Sequence, residues 1–204
     1  MSNRYLPTKT NLIQLQNSLK ITRQGHELLE KKRLILTKEL EKYKGKLEEK
    51  RKETKQLIDE GLDLVRKVNI DIGIDNFTNI ANGVKIDNYI DIKNLTIMGT
   101  EIPQAVHSKE EIKRNYGFYG TNSAVDEAMI VFNKIQEKLI ELAILENTII
   151  RIKKAIEKVS KRSNALENII IPDIEKNADY ISDVLDERER EEFSRLKVLK
   201  KSEE

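Results

Sequence analysis

Apolar residues recur along the chain in two long stretches with steps of three and four. From Leu12 the stripe runs Leu15, Leu19, Thr22, His26, Leu29, Arg33, Leu36, Leu40, Tyr43, Leu47, Lys50, Thr54, Leu57, Gly61, Leu64 and Val68. Eleven of these 17 positions are apolar, and the positions between them are mostly Lys, Glu, Gln and Arg. A sustained three-four spacing marks a seam between packed helices. No proline follows Pro7 in this stretch, and Pro7 suits a helix start. The spacing predicts one helix over about residues 8–68, roughly 85 Å long at about 1.5 Å per residue. That is too long for a compact domain of this size.

A second stripe begins Val125, Ala128, Phe132, Ile135, Leu139, Leu142. After one extra step of three it continues Leu145, Ile149, Ile152, Ile156, Val159, Ser163, Leu166, Ile170, and it resumes through Ile174, Ile181, Val184 and Leu185. The extra step is where a coiled coil would change its winding. Pro172 falls inside this pattern and predicts a kink or short break, because it lacks an N–H and crowds the preceding turn. The final stretch, Asp186 to Lys201, is nearly all charge around Phe193, Leu196 and Leu199.

Between the stripes, about residues 69–123, the pattern changes. Five of the eight glycines lie there: Gly73, Gly83, Gly99, Gly117 and Gly120. Val68 to Asp75, Val84 to Asp87 and Ile90 to Lys93 alternate apolar with polar, and Leu95-Thr96-Ile97 follows. Period two with β-branched residues predicts short strands. A small β-hairpin is expected around residues 84–98, with Asn94 or its neighbours at the turn.

The fold class that follows is mainly α. It is a long antiparallel two-helix coiled coil with a small glycine-rich knob containing a short β-hairpin. Residues 1–68 form the first shaft helix, 69–123 the connector knob, and 124–204 the second helix with a kink near Pro172. Each helix has one apolar face, and the least costly way to bury both is against each other.

Composition narrows the function. Of the 204 residues 35% are charged and only 5% aromatic, with no Trp and no Cys. Few large rings means that apolar burial is spread along a thin seam. Without cysteine there are no disulfides, no thiol catalysis and no Cys-ligated zinc. No apolar run approaches the roughly 20 residues needed to cross a bilayer, and no signal-peptide core is present. A soluble, cytoplasmic chain is expected, one that could still be peripheral to a membrane through a complex. The net charge is +2, but residues 1–67 hold 17 Lys and Arg against 10 Asp and Glu, and residues 68–204 hold 20 against 25. A basic first helix facing a more acidic partner helix is one use of that asymmetry; nucleic-acid binding is another.

Catalytic and ligand constellations are absent from the sequence: there is no GxxxxGK[ST], no GxGxxG and no HExxH. No catalytic, cofactor-binding or metal residue is assigned. His26 falls on the seam and is expected to bond a partner on the second helix; His107, in the polar connector, is expected to be solvated. Asp186, Glu187, Glu189, Glu191 and Glu192 are interleaved with Arg188 and Arg190, the pattern of a solvated or protein-contacting helix face rather than of a cation site. The basic run Lys44 to Lys55 raises nucleic-acid binding. Glu48, Glu49 and Glu53 interrupt it, however, and no aromatic stacking platform accompanies it.

Two motif blocks add a resemblance. Pro7, Thr8, Lys9, Leu12, Gly25, His26, Leu28, Leu29, Lys32 and Arg33 match an opening P-T-[KR]-x-x-L and G-[HY]-x-L-L-[KE]-x-K-R signature. Arg162, Asn164, Ala165, Leu166, Glu167, Ile171, Pro172, Glu175, Leu185 to Phe193, Arg195, Leu196 and Lys197 match R-x-N-A-L-E, I-P-x-[IL]-E and L-D-E-R-E-R-E-E-F-x-R-L-K. Met98-Gly99 and Ile102-Pro103 resemble a weaker M-G-x-x-[IV]-P element, and the connector otherwise diverges. In these blocks the chain resembles the D-subunit family of V-type rotary ATPases.

That resemblance implies a non-catalytic rotor shaft without a cofactor, coupling ATP hydrolysis or synthesis in a catalytic head to proton or sodium movement through a membrane ring. It implies as partners the catalytic-head A and B subunits, the stalk F subunit and the ring-docking C subunit (also called d), with no nucleic acid and no obligate homo-oligomer. Arg4, Lys9, Arg188, Arg190, Glu191 and Arg195 are the expected head-contacting residues. Leu57, Leu64, Phe132 and Leu139 are the expected contacts to the F subunit or the lower stalk. The rival readings are a generic coiled-coil adaptor and a helical-hairpin RNA-binding arm.

Overall fold

The computed structural model describes residues 6–83, 90–107, 117 and 120–202. In chain order they form α1 (Lys9–Ile72), α2 (Ile74–Gly83), β1 (Ile90–Ile97), β2 (Thr100–His107), α3 (Ser123–Ala165), a π-helical turn (Leu166–Ile170) and α4 (Ile171–Ser202). The chain divides into two compact units. One contains residues 1–35 and 156–204, the other residues 36–155.

In the first unit, Thr8 starts α1. Its hydroxyl accepts the Asn11 N–H at 3.3 Å and its carbonyl accepts the Leu12 N–H at 3.1 Å. An exposed cap of this kind satisfies donors that the first helical turn leaves unpaired. Leu15, Ala178 and Ile181 are buried together, with Leu12, Ile174 and Leu185 packed around them. The two helical segments of this pairing run antiparallel: Lys9 meets Glu189, Arg23 meets Glu175, and Glu30 meets Ser163. Burial of each large aliphatic residue stabilises the seam by about 1.5–3 kcal/mol.

The second unit repeats the antiparallel arrangement. Val68, Ala124, Val125 and Ala128 form its apolar cluster, with Leu64, Ile72, Phe77 and Ile80 packed on it. Lys50 pairs with Glu141 and Arg51 with Glu146 across the helices. Thr54 is buried on the seam, and its hydroxyl donates to the Lys50 carbonyl at 2.7 Å, so it enters the apolar strip without an unpaired group.

The alternation at Val68 to Asp75 does not produce a strand. These residues finish α1 and begin α2, with Gly73 between them at φ +88°. The Gly73 N–H bonds the Asn69 carbonyl at 3.1 Å, closing the helix with a left-handed glycine. Val68 and Ile72 are four apart and share a helix face on the cluster, while Ile70 and Ile74 are exposed. Eight alternating residues satisfy both periods, and packing on α3 decides for the helix.

The hairpin is real, but its turn lies four residues beyond Asn94. Ile97 pairs with Thr100, and Met98 (φ 50°) and Gly99 (φ 73°) form the two-residue turn. Positive φ at both central positions is the geometry whose twist matches a right-handed strand pair. Asn94 lies mid-strand opposite Pro103. Antiparallel pairs alternate outward from the closing pair between hydrogen-bonded and non-bonded. Asn94–Pro103 therefore falls on a non-bonded pair, where the missing N–H of Pro103 costs no ladder bond. The Arg151 guanidinium donates to the Glu101 carbonyl at 3.2 Å, tying the hairpin to α3. The expected strand at Val84 to Asp87 lies outside the described residues.

Around Pro172 the chain remains helical, and the irregularity is the π-helical turn immediately before it. There the Ile171 N–H reaches back to the Leu166 carbonyl.

Candidate functional site

Lys9 and the start of α1 face the acidic end of α4. Lys9 Nζ lies 2.9 Å from Glu189 Oε1, and that hydrogen bond and charge, with Glu192 beyond, raise the ammonium above its ordinary value. Arg188 donates to the Pro7 carbonyl at 3.3 Å. The structure thus brings Lys9 and Arg188 to one place. Arg190 and Arg195 instead pair along their own helix, with Glu187 and Glu191 respectively. Arg4 lies outside the described residues. From Asp186 to Lys200 every residue is exposed, including Phe193, Leu196, Val198 and Leu199. Four exposed apolar side chains thus stand among charges at this end of α4.

In the other unit, Phe132 and Leu139 are 43% and 45% exposed. Leu57 and Leu64 are half-buried, and Leu64 packs on the Val68 cluster. Gly61 lies under this region: a methyl added there would meet Ile135 Cδ1 at 2.8 Å and Phe132 Cε2 at 3.7 Å. The glycine lets α3 side chains close on the α1 backbone, and Phe132 sits at the edge of that contact with its remaining surface bare.

Sequence reasoning missed a further apolar row. Ile21, Leu28 and Ile35 recur every seven residues on a face of α1 away from the seam, and all three are exposed. The heptad spacing of these three is the signal that could have found it, hidden among residues that flank the main stripe. The hairpin also presents Ile92, Leu95 and Met98 to solvent.

His26 lies on the seam as expected, but its Nε2 makes no hydrogen bond to the second helix. That atom is enclosed, without a partner, 3.8 Å from Glu167 Oε2. The cross-helix bond here belongs to Ser163, whose hydroxyl donates to Glu30 Oε1 at 2.7 Å. This bond is the first cause holding the Glu30 carboxyl below its ordinary value, with the charge and hydrogen bond of Arg33 and the charge of His26 adding to it against a cost of burial. His107 ends β2, and its side chain lies outside the described residues.

Four cross-helix ion pairs among the described residues share a polarity. Lys9, Arg23, Lys50 and Arg51 on α1 face Glu189, Glu175, Glu141 and Glu146. The uneven charge along the sequence is thus partly matched within the molecule. Among the described residues no group of three or more His, Cys, Asp or Glu could hold a metal ion, and no helix is long and apolar enough to cross a membrane.

The fold defines a class: a mainly α, antiparallel two-helix coiled coil with a small hairpin. The family model for the ATP synthase D subunit matches residues 11–201. The chain is 38% identical to the V-type ATP synthase D subunit of Thermotoga neapolitana, over 95% of this chain and 96% of that one. It is 34% identical to the A-type ATP synthase D subunit of Methanosphaera stadtmanae, over 96% and 93%, and 37% identical to that of Pyrococcus horikoshii, over 95% and 92%. The chain belongs to the ATP synthase D-subunit family, and as such is one component of a larger ATPase complex.

Proposed function

We propose that the chain is the central-stalk rotor shaft of a V/A-type ATP synthase, coupling ATP hydrolysis or synthesis in a catalytic head to proton or sodium movement through a membrane ring. The observation that carries this reading is the family match from residue 11 to residue 201. It spans both long helices and the hairpin, so the likeness covers nearly the whole chain and not one motif. A coiled-coil adaptor or RNA-binding arm has no comparable support, and the cations of α1 that would serve RNA are in part engaged with carboxylates.

The shaft carries no active site. Its work is mechanical and electrostatic. Two helices clamped along a seam resist fraying, and a non-repeating charged surface gives each catalytic interface a different contact as the shaft turns. Differential contact free energy is what shifts a conformational equilibrium. Lys9, Arg188, Arg190, Glu191 and Arg195, with Arg4, serve as the bearing against the A and B subunits of the head. Leu57, Leu64, Phe132 and Leu139 are covered by the F subunit or the ring-docking C subunit. The complex holds the shaft on the cytoplasmic side, peripheral to the membrane.

The test is coupling. In the assembled complex, reversing Arg188 and Arg190 to Glu is expected to lower the ions moved per ATP while hydrolysis persists. Unchanged pumping in that variant would remove these arginines from the bearing.

A further inference from the structure

Beyond Leu166 the seam of the second helix changes phase, and the π-helical turn sits at the change. Upstream, Val159 and Ser163 are buried and Leu166 is half-buried. Continuing the three-four count gives 170, 173, 177 and 180. The residues that in fact face α1 are Ile174, Ala178, Ile181 and Leu185, each one position later than the count or its continuation. Asp173 and Tyr180, which the unbroken count would bury, are exposed. A one-residue step of this kind is absorbed by a change of winding or by a wider turn, and here the wider turn is present. A π turn, closing from residue i to i+5, holds one residue more.

The skip also explains why Ile169 and Ile170 are exposed, at 67% and 41%, in a helix that buries isoleucine elsewhere. Pro172 follows directly. In an α-helix its ring would crowd the carbonyl of Asn168 and leave a bond unmade; here Pro172 stands one residue beyond the wider turn. Side-chain amides attend the neighbouring carbonyls, with Asn168 donating to Asn164 at 3.1 Å and Asn177 to Asp173 at 2.8 Å.

The turn cannot migrate. Moved toward the N-terminus, it would place Ser160, Asn164 and Glu167 on the seam in place of Val159, Ser163 and Leu166. Moved toward the C-terminus, it would bury Asp173, Asn177 and Tyr180 in place of Ile174, Ala178 and Ile181.

We propose that Leu166–Ile170 is a fixed compliance joint: a short segment of loosened main-chain ladder, pinned by the phase of the seam, where the second helix opens and twists while the packing on either side stays closed. This goes beyond the shaft reading and does not depend on it.

Hydrogen exchange on the full chain tests it. Amides of residues 166–171 are expected to exchange at least about tenfold faster than those of 154–162 and 176–184, through local opening. Pro172→Ala alone is expected to leave that exchange fast, because the phase skip remains. Deleting Ile169 in the Pro172→Ala background is expected to give a continuous α-helix, with 164–171 protected like its flanks and 176–184 unchanged. Uniform protection in the parent chain overturns the proposal. So does slow exchange in Pro172→Ala alone, which would make the proline the cause. Should the deletion variant not fold, the parent and Pro172→Ala still decide between these outcomes.

Discussion

Ser163 and Glu30 form a hydrogen bond across the seam, 2.7 Å from hydroxyl to carboxylate, beside the enclosed Nε2 of His26. Because the folded state holds Glu30 below its ordinary value of 4.5, the resulting stability is complete above that value. It is lost as pH falls from there through the lower folded-state value. Thermal melts between pH 7 and pH 3 are expected to show a shallower acid decline in Glu30→Gln and Ser163→Ala than in the parent. Parallel declines in all three would show that this pair contributes nothing to acid sensitivity.

Gly25 and Gly45 lie inside α1, and a methyl added to either meets nothing within 4 Å. Replacing either with Ala is expected to raise stability by about 0.5–1 kcal/mol through helix propensity alone. Gly61→Ala should gain less, because its methyl meets Ile135 Cδ1 at 2.8 Å. Urea melts of the three single variants give the order directly.

Met98 adopts φ 50° in the hairpin turn, a left-handed conformation costing an L-residue about 1–2 kcal/mol. Met98→Asn is expected to slow exchange of the hairpin amides, since Asn tolerates this region, and Gly99→Val to speed it. The helices should keep their melting temperature in both, because the change is confined to the turn between Ile97 and Thr100.

Ile181 is 1% exposed and Phe193 is 70% exposed. Ile181→Ala is expected to cost the isolated chain about 2–5 kcal/mol. Phe193→Ala should stay within about 0.5 kcal/mol, as an uncovered surface change does. In the assembled complex Phe193→Ala is expected to weaken binding to the head, measured as dissociation rate. A complex indifferent to that change would mean that the exposed end of α4 stays uncovered.

The seam of α1 was legible residue by residue because a two-helix contact repeats one physical demand every three or four positions. Its exception, Arg33, stays exposed at a seam position and turns to Glu30 on its own helix, at 2.6 Å. The phase skip was also present in the sequence, in the step from Ile170 to Ile174 and Ile181, but Pro172 drew the explanation to itself. The hairpin turn was hidden because Met gives no sign that it will accept positive φ; Gly99 was the only local signal. The proposed contact surfaces were the least legible. Phe132 and Leu139 fall on the stripe read from the sequence, but the covered positions are Val131 and Lys138, one residue earlier, so the three-four spacing runs on to Leu145 without the expected extra step and both apolar side chains are left beside the seam. The motif blocks supplied the family where periodicity could supply only the fold.

The most direct test of the shaft reading uses the absence of native cysteine. A single Leu95→Cys, exposed on the hairpin, takes a probe while the assembled head is held on a surface. Stepwise rotation of the probe in one direction on adding ATP is the predicted result. A stationary probe on a complex that still hydrolyses ATP and moves ions would contradict the account.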